Sequence, residues 1–317
     1  MIDGRRIKND MIYILIRGVV FILRILPRYW ALRIAGLLGE IVSALDVRER
    51  NLAERNLKTA YRDGWSDLRI ELVARECFVK IALNAADVIQ SGKWTAADLE
   101  KLVDVAGWEH FVSAFEKDRG VIGITGHIGN FELLGAWCAS VGKIPLSAIG
   151  RTLYDKRLDR MVIENRERFG IENIVSDTAA KNVISILRSG RLLGVLLDVD
   201  SSKFSGRFVP FFGVPAKTAA GPILIGRRTG SPVVPMAMFR TDNDRYLMKI
   251  LPGFDIPNTD NKEDDIDTAL ARCNKALEEL INYDPTQWAW MHNRWKSKST
   301  SDDSERIREE TVSVDYL

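Results

Sequence analysis

From Leu102 onward, short apolar runs alternate with segments in which apolar residues recur every three or four positions. Apolar runs of this length predict buried strands, whereas the longer spacing predicts helices. The predicted strands are LVDVAG (102–107), GVIGITG (120–126), PLSAIG (145–150), LLGVLLDVD (192–200), PVVPMAMF (232–239) and YLMKIL (246–251). Strands that alternate with helices predict an α/β fold, with a mixed central sheet flanked by helices.

Helical spacing accounts for most of the remaining chain. Before the first strand, helices are predicted over 31–45, 48–61 and 66–90, and after it over 108–117, 132–141, 156–169, 179–189, 218–228 and 263–282. Residues 297–317 are polar and charged, which is typical of a flexible tail. We therefore divide the chain into an N-terminal helical segment (1–45), a main domain (46–296) and the tail (297–317).

The N-terminal segment contains an apolar stretch, Met11–Leu26, that is interrupted by Arg17 and Arg24. These arginines are seven residues apart, and Arg28 lies four further on, so all three are expected on one face of a helix. A helix with an apolar flank and a basic stripe is typical of membrane interfaces. A tilted span with snorkelling arginines, or a helix packed on the protein's own core, would fit the same residues. The arginines disfavour a cleaved signal peptide.

Charge and cysteine content exclude some classes of protein. The formal net charge is only +2, so no nucleic-acid partner is expected. Cys77, Cys138 and Cys273 are far apart and odd in number, which argues against a disulfide framework or a zinc ribbon. The sequence therefore indicates a reducing, cytosol-facing location and no bound metal.

The segment GVIGITGHIGNFELLGAW (120–137) carries the strongest chemical signal. His127 follows a predicted strand, at the sheet edge where α/β proteins bind ligands. Glu132 comes five residues later, across a turn at Gly129 and Asn130, and is expected to fold back onto the imidazole. A carboxylate on one ring nitrogen makes the other a better base. The backbone N–H groups of Gly129 and Asn130 are candidates to bind an oxyanion. A structural histidine would fit the same pattern.

Several segments resemble the bacterial lipid A biosynthesis acyltransferases, which are related to the glycerolipid and lysophospholipid acyltransferases. The His-x-x-x-x-Glu spacing of GHIGNFELLG (126–135) is similar to the catalytic block of that family. The other matching segments are RNLAERNLKTAY (50–61), IGRTLYDKRLD (149–159), residues 196–235 and QWAWMHNRWK (287–296). The family often has Asp-Gln where this chain has Asp198 followed by Val199.

The resemblance implies an acyltransferase domain over 46–296. Such an enzyme would move a fatty acyl chain from an acyl thioester, usually on acyl carrier protein, to a hydroxyl of a glucosamine-based lipid A precursor in the membrane, with no further cofactor. It implies that His127 is the general base and that Glu132 orients it. Arg151 would bind a phosphate or stabilise the transition state, and Asp198 and Arg207 are further substrate-binding candidates. The implied location is the cytoplasmic face of the inner membrane, in contact with the bilayer.

Three alternatives remain open at this point. The acceptor could be a lysophospholipid or a phosphatidylinositol mannoside, with acyl-CoA as donor. A metal-dependent hydrolase could use His127, Glu132, Asp198 and Asp200, although more closely spaced histidines would be expected. The chain could also be a peripheral lipid-binding protein without activity. Finally, the aromatic and basic residues of the segment 287–296 suit either a membrane interface or a packed C-terminal lid.

Overall fold

The computed structural model describes residues 4–150, 155–175, 179–200 and 206–299. The described helices are α1 (Gly4–Ile25), α2 (Arg28–Leu45), α3 (Val47–Tyr61), α4 (Asp67–Ser91), α5 (Ala96–Leu102), α6 (Trp108–Phe115), α7 (Phe131–Ser140), α8 (Lys156–Arg168), α9 (Ala179–Arg188), α10 (Gly221–Thr229) and α11 (Lys262–Tyr283). Short 3-10 turns follow at Arg62–Gly64 and Pro285–Gln287.

The strands are β1 (Val103–Ala106), β2 (Val121–Thr125), β3 (Leu146–Gly150), β4 (Glu172–Val175), β5 (Leu192–Leu196), β6 (Gly206–Phe211), β7 (Val214–Ala219), β8 (Val233–Arg240) and β9 (Tyr246–Ile250). Seven of the described strands form one sheet in the order β1-β9-β8-β2-β5-β3-β4. Its pairs are parallel except for β8 with β9, which makes the sheet mixed, as predicted.

Strand β2 lies near the centre of the sheet and is buried along its whole length. Because side chains alternate between the two faces of a strand, Ile122 and Ile124 join one apolar cluster and Val121 joins the other. The first cluster lies under α9, α10 and α11, and the second lies under α5, α6 and α7. Both faces of β2 are therefore covered, which explains why its sequence is continuously apolar rather than alternating.

The main difference from the predicted elements lies after β5. The helix predicted over 218–228 begins only at Gly221, because Thr218 belongs to β7. Strands β6 and β7 form an antiparallel hairpin whose turn has Phe212 and Gly213 at positive φ. The aromatic and proline content of this segment gave no alternation from which the hairpin could be predicted.

The two N-terminal helices expose much of their apolar surface. On α1 the exposed residues include Met11, Ile14, Leu15, Phe21, Ile22 and Ile25, and on α2 they include Tyr29, Trp30, Leu37, Ile41 and Leu45. The opposite face of α2 packs against α4 through Ala31, Leu32 and Ala35. No helix in the described part of the chain meets the length and apolarity that a membrane span requires.

Arg28 does not continue the basic stripe of α1. The first helix ends at Ile25, and Pro27 precedes a second helix that begins at Arg28. The Arg28 guanidinium turns inward and donates to both carboxylate oxygens of Asp87 at 2.7 Å. The prediction that Arg28 shares the face of Arg17 and Arg24 is therefore wrong, because the break at Pro27 ends the helical register.

Candidate active site

His127 and Asp198 lie side by side because their strands are neighbours. Strands β2 and β5 are parallel, with Thr125 opposite Leu196, so residues two positions beyond this pair meet at the carboxyl edge of the sheet. The Nδ1 atom of His127 is 2.9 Å from Oδ1 of Asp198, and the His127 backbone N–H donates to Oδ2 at 2.6 Å. The sheet register thus brings together two residues that are 71 positions apart in the sequence.

The glycines around His127 permit this close approach. A Cβ atom on Gly126 would lie 2.9 Å from Oδ2 of Asp198. Gly129 has φ +54°, and a Cβ there would lie 1.9 Å from the carbonyl oxygen of Met238. Any other residue at position 129 would combine backbone strain with a steric clash. The glycines flanking the histidine are therefore required by the geometry of the corner.

Asp198 is completely buried and accepts three N–H groups, two from His127 and one from Nε1 of Trp288 at 2.8 Å. Burial alone would raise the pKa of this carboxyl, but the charge of His127 and the three donors hold it well below the usual range. An ionised Asp198 requires the proton of neutral His127 to be on Nδ1. The Nε2 atom then keeps its lone pair and can act as a base.

The pKa of His127 is raised above its usual 6.5. Burial opposes the charged imidazolium, but the charge and hydrogen bond of Asp198 outweigh it, and the charge of Glu132 adds a smaller effect in the same direction. The histidine is therefore a stronger base than an isolated imidazole.

Glu132 makes a different contact from the one predicted. It lies in the first turn of α7, and its carboxylate receives two hydrogen bonds from Arg166 of α8, at 2.9 and 2.5 Å. The carboxylate that contacts the His127 ring is Asp198, so the prediction that Glu132 orients the imidazole is wrong. The first turn of α7 directs Glu132 towards α8, where a guanidinium offers a two-pronged partner.

The predicted oxyanion site at Gly129 and Asn130 is also wrong. The Gly129 N–H donates to the carbonyl of Gln287 at 2.7 Å, and the Asn130 N–H donates to the carbonyl of Met238 at 2.8 Å. The Asn130 side chain is buried and caps α7 by accepting from the Leu133 N–H at 3.1 Å. These groups fix the corner that carries His127, and their backbone donors are already occupied by protein carbonyls.

The two predicted arginines do not join this group. Arg207 lies on β6, and its guanidinium is ion-paired with Asp267 and Glu263 of α11. The structure does not support its assignment as a substrate-binding residue, since both of its partners lie on α11 and not on the segment that carries His127. Arg151 lies outside the described residues. The interpretation of Asp198 as a substrate contact changes as well, because its oxygens are directed at His127 and Trp288.

The Trp-rich C-terminal segment completes the site. Trp288 forms an antiparallel bridge with Ile128, and the Ala289 N–H donates to the carbonyl of His127 at 3.1 Å. Trp288 and Trp290 are fully buried. Of the two predicted alternatives, a membrane interface and a packed segment, the packed segment is therefore correct for these two residues. Sequence reasoning missed that the segment also brings the ring of His292 to the ring of His127, at a centroid distance of 4.3 Å.

An apolar pocket opens beside this group, between the sheet and α7. Its charged lining residues are Glu132 and Arg166. Phe131 lines it as well, and the Phe131 ring centroid is 5.1 Å from that of His127. The interior is lined by residues of β2, β3, β5 and α7, among them Gly123, Gly135, Cys138, Leu146, Ile171, Leu192, Gly194 and Met236. Phe131 lines the pocket and also contacts the His127 ring, so the base lies one side chain away from an apolar cavity. This arrangement suits a substrate with one reactive end and one hydrocarbon end.

The metal-hydrolase alternative needs four side chains that the structure does not bring together. Glu132 is paired with Arg166, and Asp200 accepts from the N–H and hydroxyl of Ser297 at 2.6 and 2.9 Å. Over the described ranges, no three His, Cys, Asp or Glu side chains are grouped so as to hold a metal ion. All three cysteines are buried free thiols.

Known proteins resemble this chain over most of its length. Residues 5–297 match a family model described as bacterial lipid A biosynthesis acyltransferase. A lipid A biosynthesis lauroyltransferase of Escherichia coli (strain K12) is 25% identical over 283 residues, covering 89% of this chain and 90% of that protein. A phosphatidylinositol mannoside acyltransferase of Mycolicibacterium smegmatis is 25% identical, covering 62% of this chain and 64% of that protein. A 1-acyl-sn-glycerophosphate acyltransferase structure from Thermotoga maritima matches at 15% identity and a TM-score of 0.39, covering 80% of this chain and 98% of that one.

Proposed function

Since this chain belongs to the bacterial lipid A biosynthesis acyltransferase family and is an acyltransferase, we propose that it transfers a fatty acyl chain from acyl carrier protein to a hydroxyl of a lipid A precursor. The observation that carries the proposal is the His127–Asp198 pair, whose histidine contacts Phe131 in the wall of an apolar pocket. No cofactor is needed, because the thioester donor is itself activated for acyl transfer.

His127 is the general base of the proposed reaction. Its Nε2 takes the proton of the acceptor hydroxyl while the hydroxyl oxygen attacks the thioester carbonyl carbon. Asp198 stabilises the imidazolium that forms and keeps the ring in the productive tautomer. The tetrahedral intermediate then collapses by breaking the C–S bond, and the thiolate recovers the proton from His127. No serine or cysteine nucleophile is used, so the acyl group passes directly from donor to acceptor.

The apolar pocket holds the acyl chain of the donor in this scheme. Glycines of β2 and β5 and Gly135 of α7 line it, and their missing side chains provide room between the sheet and the helix. Glu132 and Arg166 are its charged lining residues, where the thioester would enter. Their ion pair is largely buried, with 18% and 17% of the two side chains exposed, so the loss of either partner leaves an uncompensated charge beside the reacting atoms.

The exposed apolar surface of α1 and α2 provides the membrane contact. Phe21 and Ile25 on α1, and Trp30 and Leu37 on α2, are between 58% and 64% exposed. Apolar surface of this extent on adjacent helices is typical of a membrane-binding face. Arg17 and Arg24 remain exposed on α1 and are available to anionic headgroups, which fits a helix lying in the interface. The enzyme would act at the cytoplasmic face of the inner membrane.

The test is an activity assay with purified protein in lipid micelles, lipid A precursors as acceptors and acyl carrier protein loaded with defined acyl chains. Mass spectrometry of the lipid product should show a mass increase equal to one acyl chain. His127→Ala should lose activity on the order of 10²- to 10⁴-fold, because the base is removed. A folded His127→Ala variant with the wild-type rate would contradict the mechanism.

A second acceptor is suggested by the similarity to a phosphatidylinositol mannoside acyltransferase. In that case the donor would be acyl-CoA and the acceptor a mannoside or a lysophospholipid. The same assay separates the two, since each acceptor is offered with each donor. A higher kcat/KM for a mannoside with acyl-CoA than for a lipid A precursor with acyl carrier protein would favour the second function.

A further inference from the structure

His292 is a second histidine in the candidate active site. Its ring centroid is 4.3 Å from that of His127, with 59° between the ring planes. Within the described residues, neither of its ring nitrogens is hydrogen-bonded to a protein group, although its backbone N–H and carbonyl are both engaged. The ring is only partly exposed and faces the base, so it is available to a substrate bound at His127.

Hydrogen bonds from side chains of α3 and α4 hold the backbone of the segment that carries His292. The buried Asn56 side chain of α3 donates to the carbonyls of Trp290 and His292, each at 2.7 Å. The Cys77 thiol donates to the Trp288 carbonyl at 2.8 Å, and burial keeps this thiol protonated by raising its pKa to about 12. Asn56 lies in the segment RNLAERNLKTAY (50–61), which is distant from the site in the sequence. These contacts fix the backbone of the segment and leave the imidazole of His292 unpaired.

The reaction needs a donor that this ring can supply. Attack on the thioester turns the carbonyl oxygen into an oxyanion, which fixed N–H groups stabilise. The backbone donors of Gly129 and Asn130 are already bonded to protein carbonyls. Burial, and then the charge of His127, lower the pKa of His292, against a weaker opposite effect of Asp198. His292 is therefore neutral while His127 takes up the proton, and a neutral imidazole carries one N–H donor.

We propose that His292 is a catalytic residue that donates a hydrogen bond from its ring N–H to the oxyanion of the tetrahedral intermediate. The inference rests on the proposed acyl transfer and adds a residue to it. His127 removes the hydroxyl proton as the C–O bond forms, and the negative charge that develops on the carbonyl oxygen is bound by His292. When the C–S bond breaks, the carbonyl is restored and the thiolate takes the proton from His127, so His292 donates a hydrogen bond without changing its protonation state.

The first test compares two substitutions at this position. His292→Phe keeps a flat ring but removes the donor, and its kcat should fall on the order of 10²- to 10³-fold with little change in KM. His292→Gln keeps an amide N–H at similar reach and should retain at least about tenfold more activity than His292→Phe. His110→Gln is the matched control, because His110 follows β1, whose carboxyl end lies at the opposite edge of the sheet. Equal rates for the two His292 variants would overturn the proposal.

A binding measurement separates this role from general damage to the site. The probes are two unreactive pantetheine analogues, one in which a tetrahedral phosphonate anion replaces the thioester carbonyl and one thioether that lacks any oxygen there. Wild-type protein should bind the phosphonate more tightly, and His292→Phe should lose this preference while it binds the thioether normally. A preference retained in His292→Phe would overturn the proposal and favour the N–H groups at the start of α7. If wild-type protein bound neither analogue, the donor site itself, and with it the proposed function, would be refuted.

Discussion

Replacing Asp198 by asparagine should invert the tautomer of the catalytic histidine. Oδ2 of Asp198 accepts two fixed donors, the His127 backbone N–H at 2.6 Å and Nε1 of Trp288 at 2.8 Å, whereas Oδ1 faces only Nδ1 of His127. The single oxygen of an asparagine should therefore take the Oδ2 position, since the opposite orientation would point an NH2 group at two N–H donors. Its NH2 group would then face Nδ1, which must become an acceptor. The ring proton moves to Nε2, and the lone pair needed for catalysis is lost.

The size of the effect follows from the cost of the opposite orientation. To restore the productive tautomer, the amide must flip and leave two buried N–H donors unsatisfied, at about 1–3 kcal/mol each. The total of roughly 2–6 kcal/mol corresponds to a loss in kcat of about 30-fold to 10⁴-fold. The loss of the negative charge that stabilises the imidazolium acts in the same direction.

The assay is the initial rate of acyl transfer from acyl carrier protein to the lipid acceptor in micelles, with thermal unfolding measured in parallel. Asp265→Asn is the matched control, because Asp265 is also a buried carboxylate, bound to Thr259 and Arg227 on the first turn of α11. This control should lose stability but keep its kcat. A folded Asp198→Asn variant within threefold of the wild-type rate would refute the reasoning.

Three further predictions concern the pH profile, the pocket and the membrane face. The acid limb of the kcat/KM profile should have its midpoint above pH 6.5, because the pKa of His127 is raised and the base is lost as the pH falls through that raised pKa. A midpoint at or below pH 6.5 would contradict the role of Asp198. Gly135→Leu should shift the preferred acyl chain shorter by roughly two to four methylene groups, since a side chain there would point towards Ile171 and Leu146; an unchanged chain preference in competition assays would exclude this pocket as the acyl site. Phe21→Asp with Trp30→Asp should weaken binding to anionic vesicles about tenfold or more in flotation assays, whereas Val112→Asp on α6 should not; equal flotation of both would argue against α1 and α2 as the membrane face.

The contact predicted between His127 and Glu132 shows the limit of prediction from a local sequence motif. The spacing predicts that the carboxylate folds back across the turn, but the first turn of α7 carries it to Arg166. The carboxylate that contacts His127 follows a different strand. The sequence held a signal for it, because Asp198 directly follows an apolar run and His127 follows another apolar run after one glycine. What the sequence lacks is the strand order, which makes β2 and β5 neighbours. Without that order, several strand-end residues are equally good candidates.

Apolar periodicity by itself determined most of the elements of this protein, because burial imposes a period of two on strands and of 3.6 on helices. It also placed His127 at the end of β2 and indicated an amphipathic N-terminal helix. Only the tertiary structure decided which residues surround His127. The residues that surround it are 71 to 165 positions away from His127 in the sequence: Asp198, Trp288 and His292. They lie beside it because β2 pairs with β5 and because the C-terminal segment bridges to Ile128. These contacts depend on which elements pair across the fold, and a local pattern of apolar residues carries no information about that choice.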